Sequence, residues 1–245
     1  MRRGAFSAAF PWVLGLTILA PLCFDLTGCR NADQTTSYFP VEPGHEWQYR
    51  VQRSTMDGTE ELRHIVRSIA PPAQMAGITG AKAGLDGRTT FYTSDAQGVY
   101  RLAPAGPAER SGPATISELV LPHTPTADST WRSPARTSLL ESSAPPWETL
   151  FRVRTQLLMD YQVEDLDASI TTPAGHFEHC LLILGTASET RNAGTLIGDT
   201  HIRITVREWY APGIGMVRME REEIMDNAAI DRGTVVMELD HHAFR

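Results

Sequence analysis

The feature that most restricts this chain is an alternation of period two that recurs, segment after segment, between turn signals. Trp47, Tyr49 and Val51 alternate with Gln48, Arg50 and Gln52, and Ile202, Ile204 and Val206 alternate with Arg203, Thr205 and Arg207. Successive side chains of a strand point to opposite faces, so this pattern buries one face of a sheet and places no continuous stripe on a helix. Asp57-Gly58 separates the first of these runs from Leu62 to Ile69, which makes residues 46–69 a hairpin. A second hairpin runs through Thr89 to Leu102 around Asp95-Ala96-Gln97-Gly98.

Residues 103–115 hold Pro104, Gly106, Pro107, Gly112 and Pro113, too many breakers for a regular element, and read as a surface loop. Short strands are expected near Leu119–Leu121 and Ser129–Arg132, and Pro145-Pro146 marks a further break. Beyond it the pattern predicts strands at 151–157 and 161–170, a turn at Thr172-Pro173-Ala174-Gly175, and a long apolar strand from Phe177 to Leu184. Pro212-Gly213-Ile214-Gly215 reverses the chain into Met216–Met225, and Val235, Met237 and Leu239 form the last alternating run. The sum is an all-β fold, a curved antiparallel sheet or half-barrel of roughly ten to twelve strands behind an N-terminal signal helix.

The N-terminus has its own logic. Met1-Arg2-Arg3 is a positive start, Phe10 to Phe24 is a short apolar run broken by Pro11 and Pro21, and small Gly28 precedes a cysteine. A membrane-spanning helix needs about 20 apolar residues, so a cleaved secretory signal is expected over residues 1–28. Leu26-Thr27-Gly28-Cys29 resembles the bacterial lipobox. That resemblance implies cleavage after Gly28, diacylglycerol on the Cys29 sulfur and a further acyl chain, palmitate for example, on its freed amine. Two or three chains anchor a protein firmly where one does not. Arg30, standing where many Gram-negative lipoproteins retained in the inner membrane carry Asp, implies the outer membrane. Residues 29–37 are polar and read as a flexible tether, with one β-domain over 38–245.

Charge and cysteine usage narrow the partners. The formal net charge is −7 with no basic run, which excludes nucleic acid as the expected partner. Lys82 is the sole lysine, which at this level reads as coding bias rather than chemistry. With Cys23 removed and Cys29 acylated, Cys180 stands alone and no internal disulfide is expected. A domain of this length has core enough to fold without one.

Tyr38-Phe39-Pro40, Gly44, Trp47 and Tyr49, with Thr172-Pro173-Ala174-Gly175-His176-Phe177, Cys180 and Trp209 to Val217, resemble largely uncharacterised periplasmic and lipoprotein domains related to the TapB-like family. The resemblance implies a curved sheet similar to the half-barrels of lipoprotein carriers, and no established reaction. His176 departs from it, replacing the small residue common before that Phe.

Candidate chemistry is sparse. On a strand His176 and His179 point to opposite faces, as do the adjacent His241 and His242, so no metal centre is expected at either pair. Cys180 has Leu182 and Leu184 along its strand face and reads as a small buried hydrophobe rather than a nucleophile. No phosphate loop, nucleophile elbow or dinucleotide fingerprint occurs, and no cofactor is expected. Trp209 with Arg203 and Arg207 forms the expected ligand face, where guanidinium groups around an indole could hold an anionic or amphiphilic molecule. Taken together, the sequence predicts a non-enzymatic envelope lipoprotein, tethered to the membrane and serving as a binding or structural module for an envelope protein partner. A carrier of a lipid or other hydrophobic ligand is the second reading, and an envelope hydrolase using Cys180 or the histidines the third.

Overall fold

Alternating strands with one apolar face pair with their neighbours in sequence wherever the turns are short, and this chain does so almost throughout. The computed structural model describes residues 37–71, 73, 77–104, 115–144, 149–194, 198–227 and 230–245. The expected signal helix, Gly28, Cys29, most of the tether, much of the Pro-rich loop and Pro145-Pro146 lie outside the described residues. Every contact reported below lies within one compact unit, Thr35–Arg245.

Fourteen strands and no helix occur among the described residues. They are β1 (His45–Thr55), β2 (Gly58–Ile69), β3 (Gly80–Gly84), β4 (Thr89–Ser94), β5 (Gly98–Pro104), β6 (Thr115–Pro122) and β7 (Thr130–Arg136), followed by β8 (Glu141–Ala144), β9 (Thr149–Arg152), β10 (Gln156–Thr172), β11 (Gly175–Asn192), β12 (Asp199–Ala211), β13 (Gly215–Met225) and β14 (Arg232–Phe244). Twelve of them make one antiparallel sheet in the order β6-β5-β4-β3-β2-β1-β14-β13-β12-β11-β10-β7, and β8 pairs with β9. The pairing of β1 with β14 joins the two halves of the chain, and the edge strands β6 and β7 come together, so the sheet curls into a nearly closed barrel.

The all-β antiparallel expectation holds, with three local differences. The strand expected at 151–157 is two: Val153 donates its N–H to the Leu140 carbonyl at 2.9 Å and accepts from the Thr137 hydroxyl at 2.6 Å, which takes it off the ladder between β9 and β10. β8 was not expected. Nor was β3, whose Gly80-Ala81-Lys82-Ala83-Gly84 has none of the branched or aromatic residues by which strands are recognised.

Three clusters of buried side chains follow from the register among the described residues. Leu157 and Met159 of β10, Ile202, Ile204 and Val206 of β12 and Met225 of β13 enclose Leu140, Val153 and Ile230, so the barrel is filled at the end where β10 and β12 begin. Glu223, fully buried on β13, ties down the segment that covers this end. Its carboxylate accepts the backbone N–H groups of Ser138 and Leu139, each at 2.9 Å, and Arg221 Nε at 2.7 Å. At the opposite end Trp47 donates from Nε1 to the Ile214 carbonyl at 2.7 Å and Tyr49 donates its hydroxyl to the Met216 carbonyl at 2.9 Å, which fixes the turn before β13 against β1. Gly215 sits there at φ +97°, a left-handed conformation that leaves Pro40 and Trp47 room to close over it.

Candidate functional site

β3 is the origin of the site. Its small residues let neighbouring chain approach closely: a Cβ on Gly80 would lie 2.5 Å from the Val41 carbonyl oxygen. Between them the one long side chain, Lys82, extends into the barrel. Its Nζ lies 3.8 Å from the centre of the Phe39 ring, 4.3 Å from that of Trp47 and 5.8 Å from that of Tyr92. Ammonium over ring faces is attracted by their quadrupoles. Among the described residues it has neither an ion-pair nor a hydrogen-bond partner. Burial lowers its pKa to about 7, and the charge of Glu42 only partly offsets this.

The lysine lines a cavity of about 420 Å³ that opens to solvent, within the size range of small-molecule sites. Phe39, Trp47, Tyr49, Val66, Met216 and Met237 supply its apolar wall. The other charges along it are compensated. Arg101 holds Glu118 through Nε at 2.9 Å, and Tyr210 donates its hydroxyl to Glu208 at 2.7 Å. Burial holds the Glu208 carboxyl above the usual carboxylate range, with the Tyr210 hydrogen bond and the charges of Arg221 and Arg101 pulling it back. Asp86 and Arg88 pair in the turn after β3 at 3.7 Å.

The residues expected to form a ligand face lie elsewhere. Arg203 and Arg207 are exposed and alternate with buried Ile202, Ile204 and Val206, which puts them on the face of β12 turned away from the barrel interior. Arg207 pairs with Glu164 at 3.3 Å, and the guanidinium nearest the Trp209 ring, 5.9 Å from its centre, belongs to Arg218. These three side chains therefore do not line the cavity. Glu208 and Tyr210, the alternate residues of the same strand, do.

The histidines have separate partners. His176 Nδ1 bonds the Thr171 hydroxyl at 2.9 Å, while His179, at φ 56° in an irregular part of the β10–β11 ladder, bonds Asp167 at 2.6 Å. That hydrogen bond raises the His179 pKa. His242 finds a partner across the sheet, its Nε2 lying 3.0 Å from Nδ1 of His45, and the pair stacks near Trp47. Burial lowers the pKa of both members. Among the described residues no three histidine, cysteine or acidic side chains converge.

Cys180 is fully buried, and its thiol is pushed up to about 11 by burial alone. Its sulfur approaches the Glu178 carbonyl at 3.9 Å, and among the described residues no imidazole is hydrogen-bonded to it. A thiol so placed is shielded and protonated at neutral pH. The folded domain at about pH 8 should therefore resist iodoacetamide and take up one equivalent at Cys180 only on denaturation. Rapid labelling of the native protein would show that this part of the core opens.

A family model described as DUF3108-like matches residues 154–227, the part of the chain that runs from the start of β10 to the end of β13 and holds both later turn motifs. Among solved structures the chain is similar to a lipoprotein candidate from Parabacteroides distasonis, at 13% identity and TM-score 0.36, over 86% of this chain and 100% of that one. It is also similar to an exported-protein candidate with a YmcC-like fold from Bacteroides fragilis, at 14% identity and TM-score 0.38, over 84% of this chain and 99% of the other. No curated protein matches it.

Proposed function

We propose that this protein is a non-enzymatic binding module of the bacterial envelope, tethered through acylated Cys29, whose barrel interior holds a small hydrophobic or amphiphilic molecule. One observation carries the reading: a barrel filled with side chains at one end keeps a solvent-open cavity of about 420 Å³ at the other, walled by aromatic and methionine side chains. Apolar walls with a few polar groups are the usual composition of ligand sites. An interaction module working through its outer surface alone has no use for such a space. The shielded Cys180 and the separate partners of His176 and His179 favour binding over hydrolysis.

Two measurements test the two halves. In cells given labelled palmitate, the wild-type chain should take up label and Cys29→Ser none; equal label in both would remove the tether. Native mass spectrometry of residues 35–245, released from their tether and never delipidated, should show a bound species that leaves on mild activation. A protein of apo mass, together with no binding of any single-chain amphiphile, would remove the cavity function.

A further inference from the structure

The cavity wall poses a charge problem. A cation taken out of water is costly unless an anion or hydrogen-bond acceptor meets it. Every arginine lining this cavity has a carboxylate: Arg101 has Glu118 and Arg88 has Asp86. Lys82 has none among the described residues, although Glu208 lines the same cavity; that carboxylate is occupied by Tyr210 instead. Lys82 is half-buried, with ring faces on its Phe39, Trp47 and Tyr92 sides, which leaves its remaining donors facing the solvent-open cavity and whatever fills it.

Resting on the binding function above, we infer that the occupant is an acidic single-chain amphiphile of the fatty-acid type, its carboxylate paired with Lys82 Nζ and its chain lying along Trp47, Tyr49, Met216 and Met237. The components divide accordingly. The carboxylate supplies the partner that the fold withholds from Lys82, and the apolar wall gains by covering methylenes, at about 0.8 kcal/mol for each one buried. A cationic amphiphile would set like charge against Lys82, and a neutral one would leave the ammonium unmet.

A dependence on pH follows. With its pKa near 7 in the empty cavity, Lys82 is only partly protonated under neutral conditions, and a bound carboxylate favours the ammonium form. The carboxylate therefore binds with uptake of a proton and loses affinity as pH rises through 7. The charged or titratable groups facing this space are Glu42, His45, Tyr49, His64, Asp86, Arg88, Tyr92, Arg101, Glu208 and Tyr210.

The test uses residues 35–245, delipidated, with calorimetry reporting binding of monomeric dodecanoate, dodecanol and dodecyltrimethylammonium. Dodecanoate should bind best, and Lys82→Met should weaken it by about 10- to 100-fold, the range for losing a charge-assisted hydrogen bond, with dodecanol unaffected. Lys82→Arg should restore most of the loss. From about pH 6 to about pH 8.5 the wild type should lose at least about tenfold in dodecanoate affinity while the arginine variant stays nearly flat; because His45 and His64 remain in both, that contrast assigns the change to residue 82. Melting curves for each variant verify folding. If dodecanol binds as well as dodecanoate, or dodecyltrimethylammonium binds better, the acidic-ligand inference falls while the binding function stands. If none of the three binds, both fall.

Discussion

Glu223→Ala should lower the melting temperature of the domain by about 10 °C. The carboxylate is fully buried, and it accepts from two backbone N–H groups of the 138–139 segment, from the Ser138 hydroxyl at 3.3 Å and from Arg221, itself 15% exposed. Truncation leaves the guanidinium without its anion and two amides without acceptors. Breaking a buried ion pair on one side costs about 3–5 kcal/mol, and a domain of this size loses about 2–4 °C for each kcal/mol. The loss should be local in origin: Leu140 and Val153, held under that segment, cap the filled end of the barrel. Glu223→Gln keeps one acceptor oxygen and should lose roughly half as much. Thermal denaturation followed by circular dichroism measures both, and an unchanged melting temperature in the alanine variant would mean that the carboxylate does not hold the segment.

Lys82→Met should act in the opposite direction and raise the melting temperature. Methionine keeps the apolar stem between Phe39 and Trp47 and removes a charge that burial disfavours. The ring faces give back part of that cost and the half-buried ammonium keeps some water, so a gain of about 1 kcal/mol, some 2–4 °C, is expected at neutral pH and below. The pH dependence has a definite sign. The lysine has its ordinary pKa of 10.5 in the unfolded chain and about 7 in the fold, so between those values the unfolded state binds more protons and the wild type gains stability as pH rises. The advantage of the methionine variant should be largest below pH 7 and fade towards pH 10.5. A constant difference across that range would show that Lys82 keeps an ordinary pKa.

The chain's local grammar was legible where a strand has one face to bury and a glycine to turn on. Asp57-Gly58, Thr172 to Gly175 and Pro212 to Gly215 close the hairpins that the pattern places there, and the alternation of β12 puts Ile202, Ile204 and Val206 inside as it must. The candidate site was not legible for the same reason that β3 was not. Gly80-Ala81-Lys82-Ala83-Gly84 looks like a linker, because the value of its small residues lies in what packs against them, Val41 against Gly80, from outside the strand's own stretch of sequence. Its lysine could be recognised only by being alone in the chain. Arg203, Arg207 and Trp209 were grouped correctly on one face, but period two says that faces alternate and not which of them the barrel encloses.

From the sequence alone came the strand class, the positions of the main hairpins, the shielding of Cys180 and the expectation of a lipid tether, because each depends on residues within one turn or one strand of each other. Only the tertiary structure decided that the sheet closes on itself, that one end is filled while the other keeps a cavity, and that Lys82 stands among Phe39, Trp47 and Tyr92 without a carboxylate. Those depend on strands brought together by closure: Phe39, Trp47, Lys82 and Tyr92 come from four separate segments, and Glu208 and Tyr210 from the far half of the chain. No periodicity encodes such a meeting; the geometry of a curled sheet does.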